Sequence, residues 1–249
     1  MSSLKDKVAI IIGASSGIGR AAAMLFASEG ASVVLNARNK LGLEAVAHTI
    51  KELGGEAYYV AGDASHSETH EKLIAVAQNV FGRLDIAFNN AGTVGPVVPM
   101  AEASLDDWNN VIAGNLTSAF LGAKSQIPSM LRSGGGSIIF TSTFVGSSVG
   151  IPGMALYGAA KAGLMGLVKG ITADYGSQGI RANALLPGGV DTPMAGNDAQ
   201  KEWAAGLHAM KRIAQPEEIA QAALFLAGPM SSFVTGSALY ADGGNSAVK

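Results

Sequence analysis

Val8-Ala-Ile-Ile-Ile12, followed at once by Gly13-Ala-Ser-Ser-Gly17-Ile-Gly19, is the stretch on which the fold turns. The run is apolar on both alternating faces, as a strand covered on both sides of a parallel sheet must be. The glycines then permit a sharp turn into the Ala-rich stretch Ile18–Glu29, which reads as a helix. A strand, a glycine turn and a helix in that order bring backbone close to a pyrophosphate. They also aim the free N–H groups of a helix N-terminus at it. The spacing is G-x-x-x-G-x-G, so the general G-x-G-x-x-G fingerprint is not met; placement carries the reading. Gly13, Ser15, Ser16, Gly17, Ile18 and Gly19 are therefore candidate dinucleotide-binding residues.

The same alternation continues outward. Strands are predicted at Val8–Ile12, Ser32–Asn36, Ala57–Ala61, Asp85–Phe88, Ser137–Thr141, Ala182–Leu186 and Ala238–Ala241. Helices are predicted at Ile18–Glu29, Gly42–Leu53, Ser67–Phe81, Leu105–Leu131, Ala155–Tyr175 and Pro216–Ala227. Repeated strand–helix–strand units give an α/β, doubly wound, Rossmann-type parallel sheet. No linker divides the chain, so a single domain over residues 1–249 is expected, with a loop-rich insertion around Pro193–Lys211.

Composition narrows the function classes. The chain has no cysteine, which removes disulfides, thiol nucleophiles and thiolate metal sites. Net charge is −2 with no basic run, so no nucleic-acid partner is expected. The apolar run after the polar start Met1-Ser-Ser-Leu-Lys-Asp-Lys7 is too short to span a bilayer and lacks a signal-peptide pattern. A cytoplasmic protein without membrane attachment is the expectation.

Two further features bear on chemistry. The second strand ends in Asn36-Ala-Arg-Asn-Lys40, where NAD-binding units carry an acidic side chain for the ribose hydroxyls. With Ala37 there and Arg38 next, a 2′-phosphate meets a bidentate cation instead of a carboxylate, and Ser15 can add a hydroxyl. NADP(H) is thus favoured over NAD(H). Tyr157-Gly-Ala-Ala-Lys161 sets two titratable groups four apart on one helix face. A lysine ammonium near a phenol favours phenolate, which makes the pair an acid–base unit.

Gly13-x3-Gly17-x-Gly19, Asn89-Asn-Ala-Gly92, Tyr157-x3-Lys161 and Pro187-Gly188 occur in that order, with Ile180-Arg-Ala-Asn183 and Asp242-Gly-Gly244 beyond. Taken together, and over nearly the whole chain, these resemble the short-chain dehydrogenases/reductases. The resemblance implies a seven-stranded sheet in the order 3-2-1-4-5-6-7 and hydride exchange between NADP(H) and an alcohol or ketone. It makes Tyr157 the proton donor or acceptor, Lys161 the group that binds the nicotinamide ribose and depresses the tyrosine pKa, and Asn115 the holder of a relay water. It places Asp63 and Ala64 at the adenine, Asn90, Ala91 and Gly92 along the adenosine side, and Pro187, Gly188, Val190 and Thr192 at the nicotinamide side. It also implies a homotetramer, and it makes the stretch at about 193–211 a substrate lid. The lid's Met194, Trp203, Leu207, His208 and Met210 suit a medium-sized, partly apolar carbonyl; His208 either contacts substrate or is a plain exposed histidine.

Relatives generally place a carbonyl-polarising serine thirteen residues before the tyrosine, where this chain has Phe144. One extra residue in the following loop puts Thr143 in that place, with Ser142 just before it; successive residues of an extended segment face opposite ways, so one of the two serves. The rival readings are a 3-oxoacyl-[acyl-carrier-protein] reductase, which shares these motifs, and a non-catalytic NADP(H)-binding protein on the same fold. His66-x-Glu-x-His70 lacks the order and third ligand of a zincin and reads as a solvated helix start capped by Ser67. No metal site is expected.

Overall fold

The computed structural model describes residues 3–248. Its strands are β1 (Val8–Ile12), β2 (Ser32–Ala37), β3 (Ala57–Ala61), β4 (Ile86–Asn89), β5 (Gly136–Thr141), β6 (Ile180–Pro187) and β7 (Ala238–Ala241). Every neighbouring pair is parallel, and the order is β3-β2-β1-β4-β5-β6-β7, as expected. The helices are α1 (Gly17–Ser28), α2 (Lys40–Glu52), α3 (Ser67–Phe81), α4 (Leu105–Ile112), α5 (Ser118–Arg132), α6 (Ala155–Tyr175), α7 (Asp198–Leu207) and α8 (Pro216–Ala227).

The period-2 rule explains how β1 serves two cores. Ala9 and Ile11 join Phe26, Leu43, Ile50, Ile219 and Leu226 under α1, α2 and α8. Val8, Ile10 and Ile12 join Leu73, Ile127, Met130, Leu164 and Val168 under α3, α5 and α6. Each buried Ile or Leu side chain contributes about 2 kcal/mol, so a strand apolar on both faces is the natural centre of such a sandwich. The chain reverses direction across the sheet at β1, whose neighbours are β2 and β4. A crevice therefore opens beyond the carboxyl ends of β1 and β4, where ligands bind in sheets of this kind.

Three sequence readings are corrected. The single helix expected at Leu105–Leu131 is interrupted by a π-helical turn, Ala113–Thr117, between α4 and α5. Ser67 is the first helical residue of α3 and not its cap; His66 takes the cap position without a side-chain bond. His70 is not solvated: it is 2% exposed and its Nε2 lies 2.7 Å from the Ala64 carbonyl. Burial of His70 lowers its pKa, with the Ala64 bond pulling the other way. Among the described residues no helix is long and apolar enough to cross a membrane.

Candidate active site

The glycine turn is built so tightly that side chains are excluded. Gly13 has φ +83°, and a Cβ there would sit 3.0 Å from the Ala91 backbone. A Cβ on Gly19 would collide with the Gly13 carbonyl. The amides of Gly13 and Ala14 donate to the Asn36 carbonyl at 2.8 and 2.9 Å, which clamps the turn to β2. Ser16 caps α1 without a side-chain bond, so the first amides of the helix have no capping side chain. Uncapped amides over a Cβ-free floor fit a pyrophosphate.

The other expected nucleotide contacts gather around this turn. Ser15 packs against Gly42 at the start of α2, and a Cβ on Gly42 would meet it at 3.0 Å. Arg38 is exposed just beyond β2. The Asp63 carboxylate accepts the Ser65 amide and hydroxyl, both at 2.8 Å. The Ser65 amide bond, with help from the Arg38 charge, outweighs burial and holds Asp63 below the usual carboxylate range. Ala64 is buried beneath it. Thr192 lies over Gly17, whose Cβ would press its methyl at 2.9 Å, and Val190 is buried beside it on the chain after Pro187 and Gly188.

Asn90, Ala91 and Gly92 run from this cradle to the chemistry. Asn90 accepts the Thr141 hydroxyl at 3.0 Å. A Cβ on Gly92 would lie 2.6 Å from Asn115 Oδ1 and 3.0 Å from Lys161 Nζ. Asn115 sits on the π turn and is 1% exposed. Its Nδ2 donates to the Thr93 and Val111 carbonyls at 2.8 Å each, and its Oδ1 accepts the Thr93 amide at 3.1 Å. The wider turn is thus the local distortion that carries the asparagine, a common place for such turns.

Beyond β5, Ser142 and Thr143 diverge. The Ser142 hydroxyl donates to the Lys161 carbonyl at 2.9 Å, facing the helix behind it. The Thr143 hydroxyl lies against the Tyr157 phenol, accepting the Val145 amide at 3.3 Å as well. Tyr157 is only partly buried over its whole surface, yet its hydroxyl is set deep enough that burial pushes the phenol up to about 12, with the Thr143 bond opposing weakly. Lys161 is 3% exposed; its Nζ donates to the Thr141 carbonyl at 2.7 Å and lies 5.9 Å from the centre of the Tyr157 ring. Burial brings its pKa down to about 8. Here burial, and not the pull of the ammonium, governs both groups: the phenol is held neutral and the lysine is poised to lose its proton.

The site is thus one connected array from the glycine turn to Tyr157 and Lys161, and comparison with known proteins gives it a lineage. A family model described as enoyl-(acyl carrier protein) reductase matches residues 13–246. The chain is 39% identical over 238 residues to the cyclohexanol dehydrogenase of an Acinetobacter species, covering 96% of this chain and 94% of that protein. The chain is a short-chain dehydrogenase/reductase. This short-chain dehydrogenase/reductase is also 41% identical, over the full length of both chains, to a 2,5-dichloro-2,5-cyclohexadiene-1,4-diol dehydrogenase of Sphingobium indicum. A solved short-chain type dehydrogenase/reductase from Mycobacterium marinum superposes with a TM-score of 0.94 at 31% identity, covering 99% and 98% of the two chains. It is an enzyme of the alcohol dehydrogenase/carbonyl reductase class, and that class uses NAD(P).

Two contributors were hidden from sequence reasoning. Asn36 is buried, its Nδ2 donating to the Val60 and Gly62 carbonyls at 2.9 and 3.1 Å, so that β2 and the turn before Asp63 are held together. The only signal was a polar residue directly after the apolar run Val33–Leu35 and still within the strand. His208 is not a plain exposed histidine: it is 2% exposed and both ring nitrogens are bonded to backbone. A cavity of about 170 Å³ lies beside Gly188 and Gly189, walled by Met210, Ile219 and Asp242, and neither Tyr157 nor Lys161 lines it.

Proposed function

We propose that this enzyme interconverts a secondary alcohol and a ketone with NADP(H), Tyr157 exchanging the proton on the substrate oxygen. The observation that carries this reading is the contact between the Thr143 hydroxyl and the buried Tyr157 phenol, with Lys161 Nζ 5.9 Å from the ring. Two hydroxyls that meet at one point can both bond to a single carbonyl oxygen placed there. A phenol held neutral is the right form for donating a proton to that oxygen. Thr143 polarises it, and Ser142 serves the fold.

Lys161 restores the proton. With its pKa brought down to about 8, it exchanges protons readily near neutrality. Asn115, adjoining Lys161 across Gly92, orders the path by which that proton reaches solvent. The residues fit a nicotinamide dinucleotide: the Gly13–Gly19 turn for its pyrophosphate, Asn90 to Gly92 along its length, Val190 and Thr192 toward the nicotinamide. When bound, the nicotinamide supplies or accepts the hydride at the carbonyl carbon. Arg38, next to Ala37 in place of a carboxylate, supports the 2′-phosphate of NADP(H).

The substrate class is a small alicyclic secondary alcohol or its ketone. The cyclic alcohols in the names of the two dehydrogenases support it, as do the exposed apolar side chains Val97, Met194, Trp203 and Leu207 on segments that flank the site. A homotetramer is supported by Leu105 and Phe120 on α4 and α5 and by Met230 and Phe233 ahead of β7, all exposed in the monomer. Tyr157→Phe tests the central claim. Turnover of a cyclic ketone should fall by about a thousandfold or more, within the range of a lost general acid. NADPH binding should be retained, and a variant that kept wild-type turnover would remove the mechanism.

A further inference from the structure

His208 follows α7 directly, and its ring is inserted between backbone elements. Nδ1 lies 2.6 Å from the Ala204 carbonyl, in the last turns of α7. Nε2 lies 2.9 Å from the Gly189 amide, on the turn after β6. A carbonyl can only accept, so Nδ1 carries the hydrogen; Nε2 is then bare and accepts the Gly189 N–H. The imidazole is neutral and in one tautomer.

Glycines make room for it. A Cβ on Gly188 would collide with the ring, and Cβ atoms on Gly189 and Gly243 would meet it at 3.2 and 3.3 Å. Its remaining side faces Phe144, edge to face at 6.4 Å and 72°, the residue next to Thr143. One ring therefore joins α7, the Gly188–Gly189 turn that leads to Val190 and Thr192, and the loop that carries Thr143.

The geometry points to His208 as a positioning residue: a latch whose ring docks α7 on the Gly188–Gly189 turn. Its relevance to the reaction rests on the nucleotide reading above. The bond to Ala204 lies within the α7 segment; the bond to Gly189 is the one that crosses between elements.

The charged groups around the ring are already committed. Asp242 accepts the Gly244 and Ser246 amides at 3.0 and 2.9 Å, and Lys211 Nζ donates to the Gly206 carbonyl at 3.0 Å. Arg212 pairs with Glu218. Asp191 pairs with Lys201 at 2.7 Å, a second tie between this turn and α7, but an exposed one that holds weakly. The Lys201 bond lowers Asp191, and the Ser246 and Gly244 bonds outweigh burial to lower Asp242.

Amide hydrogen exchange on the ligand-free protein tests the latch. The proteins compared are wild type, His208→Phe, which fills the slot without either bond, and His208→Gln. The Gln Oε1 reaches the place of Nε2 and accepts from Gly189 at any pH. Exchange in peptides covering 188–190 and 198–207 should rise about tenfold in the Phe variant, as for a lost buried hydrogen bond, while the Gln variant stays near wild type at neutral pH. A Phe variant that exchanges like wild type overturns the latch. A Gln variant whose exchange rises about tenfold in the same peptides does the same, and can be read even where the Phe variant fails to fold. A fluorescence titration with NADPH separates the two claims: failure of all three proteins to bind it, with the exchange pattern as expected, removes the nucleotide reading and supports the latch.

Discussion

Ser142 donates its hydroxyl to the Lys161 carbonyl at 2.9 Å, so the end of β5 is tied to the helix that carries the Tyr–Lys pair. The neighbouring hydroxyl, on Thr143, is turned to Tyr157. Two adjacent hydroxyls thus have separable duties, and substitution distinguishes them. Ser142→Ala should cost about 1 kcal/mol of stability in denaturant melts and leave kcat within a few-fold. Thr143→Val keeps the shape and removes the hydroxyl, and kcat should fall by about a hundredfold or more. The reverse pattern would transfer the polarising role to Ser142.

Lys161 is a buried cation with no carboxylate bonded to it, and this has a signature in stability. Its folded pKa, about 8, lies below the ordinary 10.5. Between those values the unfolded chain holds a proton that the folded chain does not, so stability rises with pH across that window and the full penalty is present below it. Lowering a lysine that far corresponds to roughly 3 kcal/mol. Lys161→Met should therefore be more stable than wild type at neutral pH while losing activity. Urea melts at about pH 7 and 9.5 should show a pH gain in wild type that the variant lacks. Equal slopes would mean that the lysine is not penalised by burial.

The proposed preference for NADP(H) is tested at Arg38. Arg38→Ala should weaken NADPH binding by about ten- to a hundredfold, the loss of a charge-assisted pair, and leave NADH binding unchanged. Fluorescence titrations with both nucleotides decide this. Tighter binding of NADH than NADPH to the wild-type protein would end the preference.

At the opposite end of the sheet from the site, Asp85 is 6% exposed and accepts the Arg83 guanidinium at 2.6 and 2.8 Å, the Val8 amide at 3.0 Å and Lys7 Nζ at 3.2 Å. Burial pushes this carboxyl up, but the Arg83 and Val8 bonds and the Lys7 charge outweigh it and hold the pKa below 3.8. Its contribution is present above the unfolded value and is lost as pH falls below that. Asp85→Asn should cost about 3 kcal/mol at neutral pH and flatten the acid limb of the stability curve, with catalysis intact once folded. Thermal melts between neutral pH and about 3 read this directly.

What was legible in the sequence is what is local. Val8–Ile12 and the glycines after it encode strand, turn and helix within a dozen residues, and the strand order follows from such units in series. Tyr157 and Lys161 are legible for the same reason, being four apart on one helix. Which hydroxyl faces Tyr157 was narrowed only to a pair, because alternation separates the faces of Ser142 and Thr143 without saying what lies on each. The π turn was missed because Gly114-Asn-Leu-Thr117 has no breaker that forces it; the bonds from Asn115 to Thr93, a residue on another segment, accompany it. His70 and His208 were misread because their burial depends on backbone folding back over the ring: the Ala64 carbonyl for His70, and Gly188 and Gly189 for His208. A polar residue's composition cannot reveal that.

The contact between Gly13 and Ala91 leaves no room for even one methyl, and Gly92 abuts Asn115 and Lys161 in the same way. The glycine turn and the Asn115–Lys161 end consequently share a single mechanical frame and cannot drift apart by small steps. Whoever sets out to redirect this enzyme to another alcohol will find little latitude there. The room for variation lies around Val97 and Met100 and along α7, where large side chains already stand in solvent and a new shape can be tried without disturbing the frame.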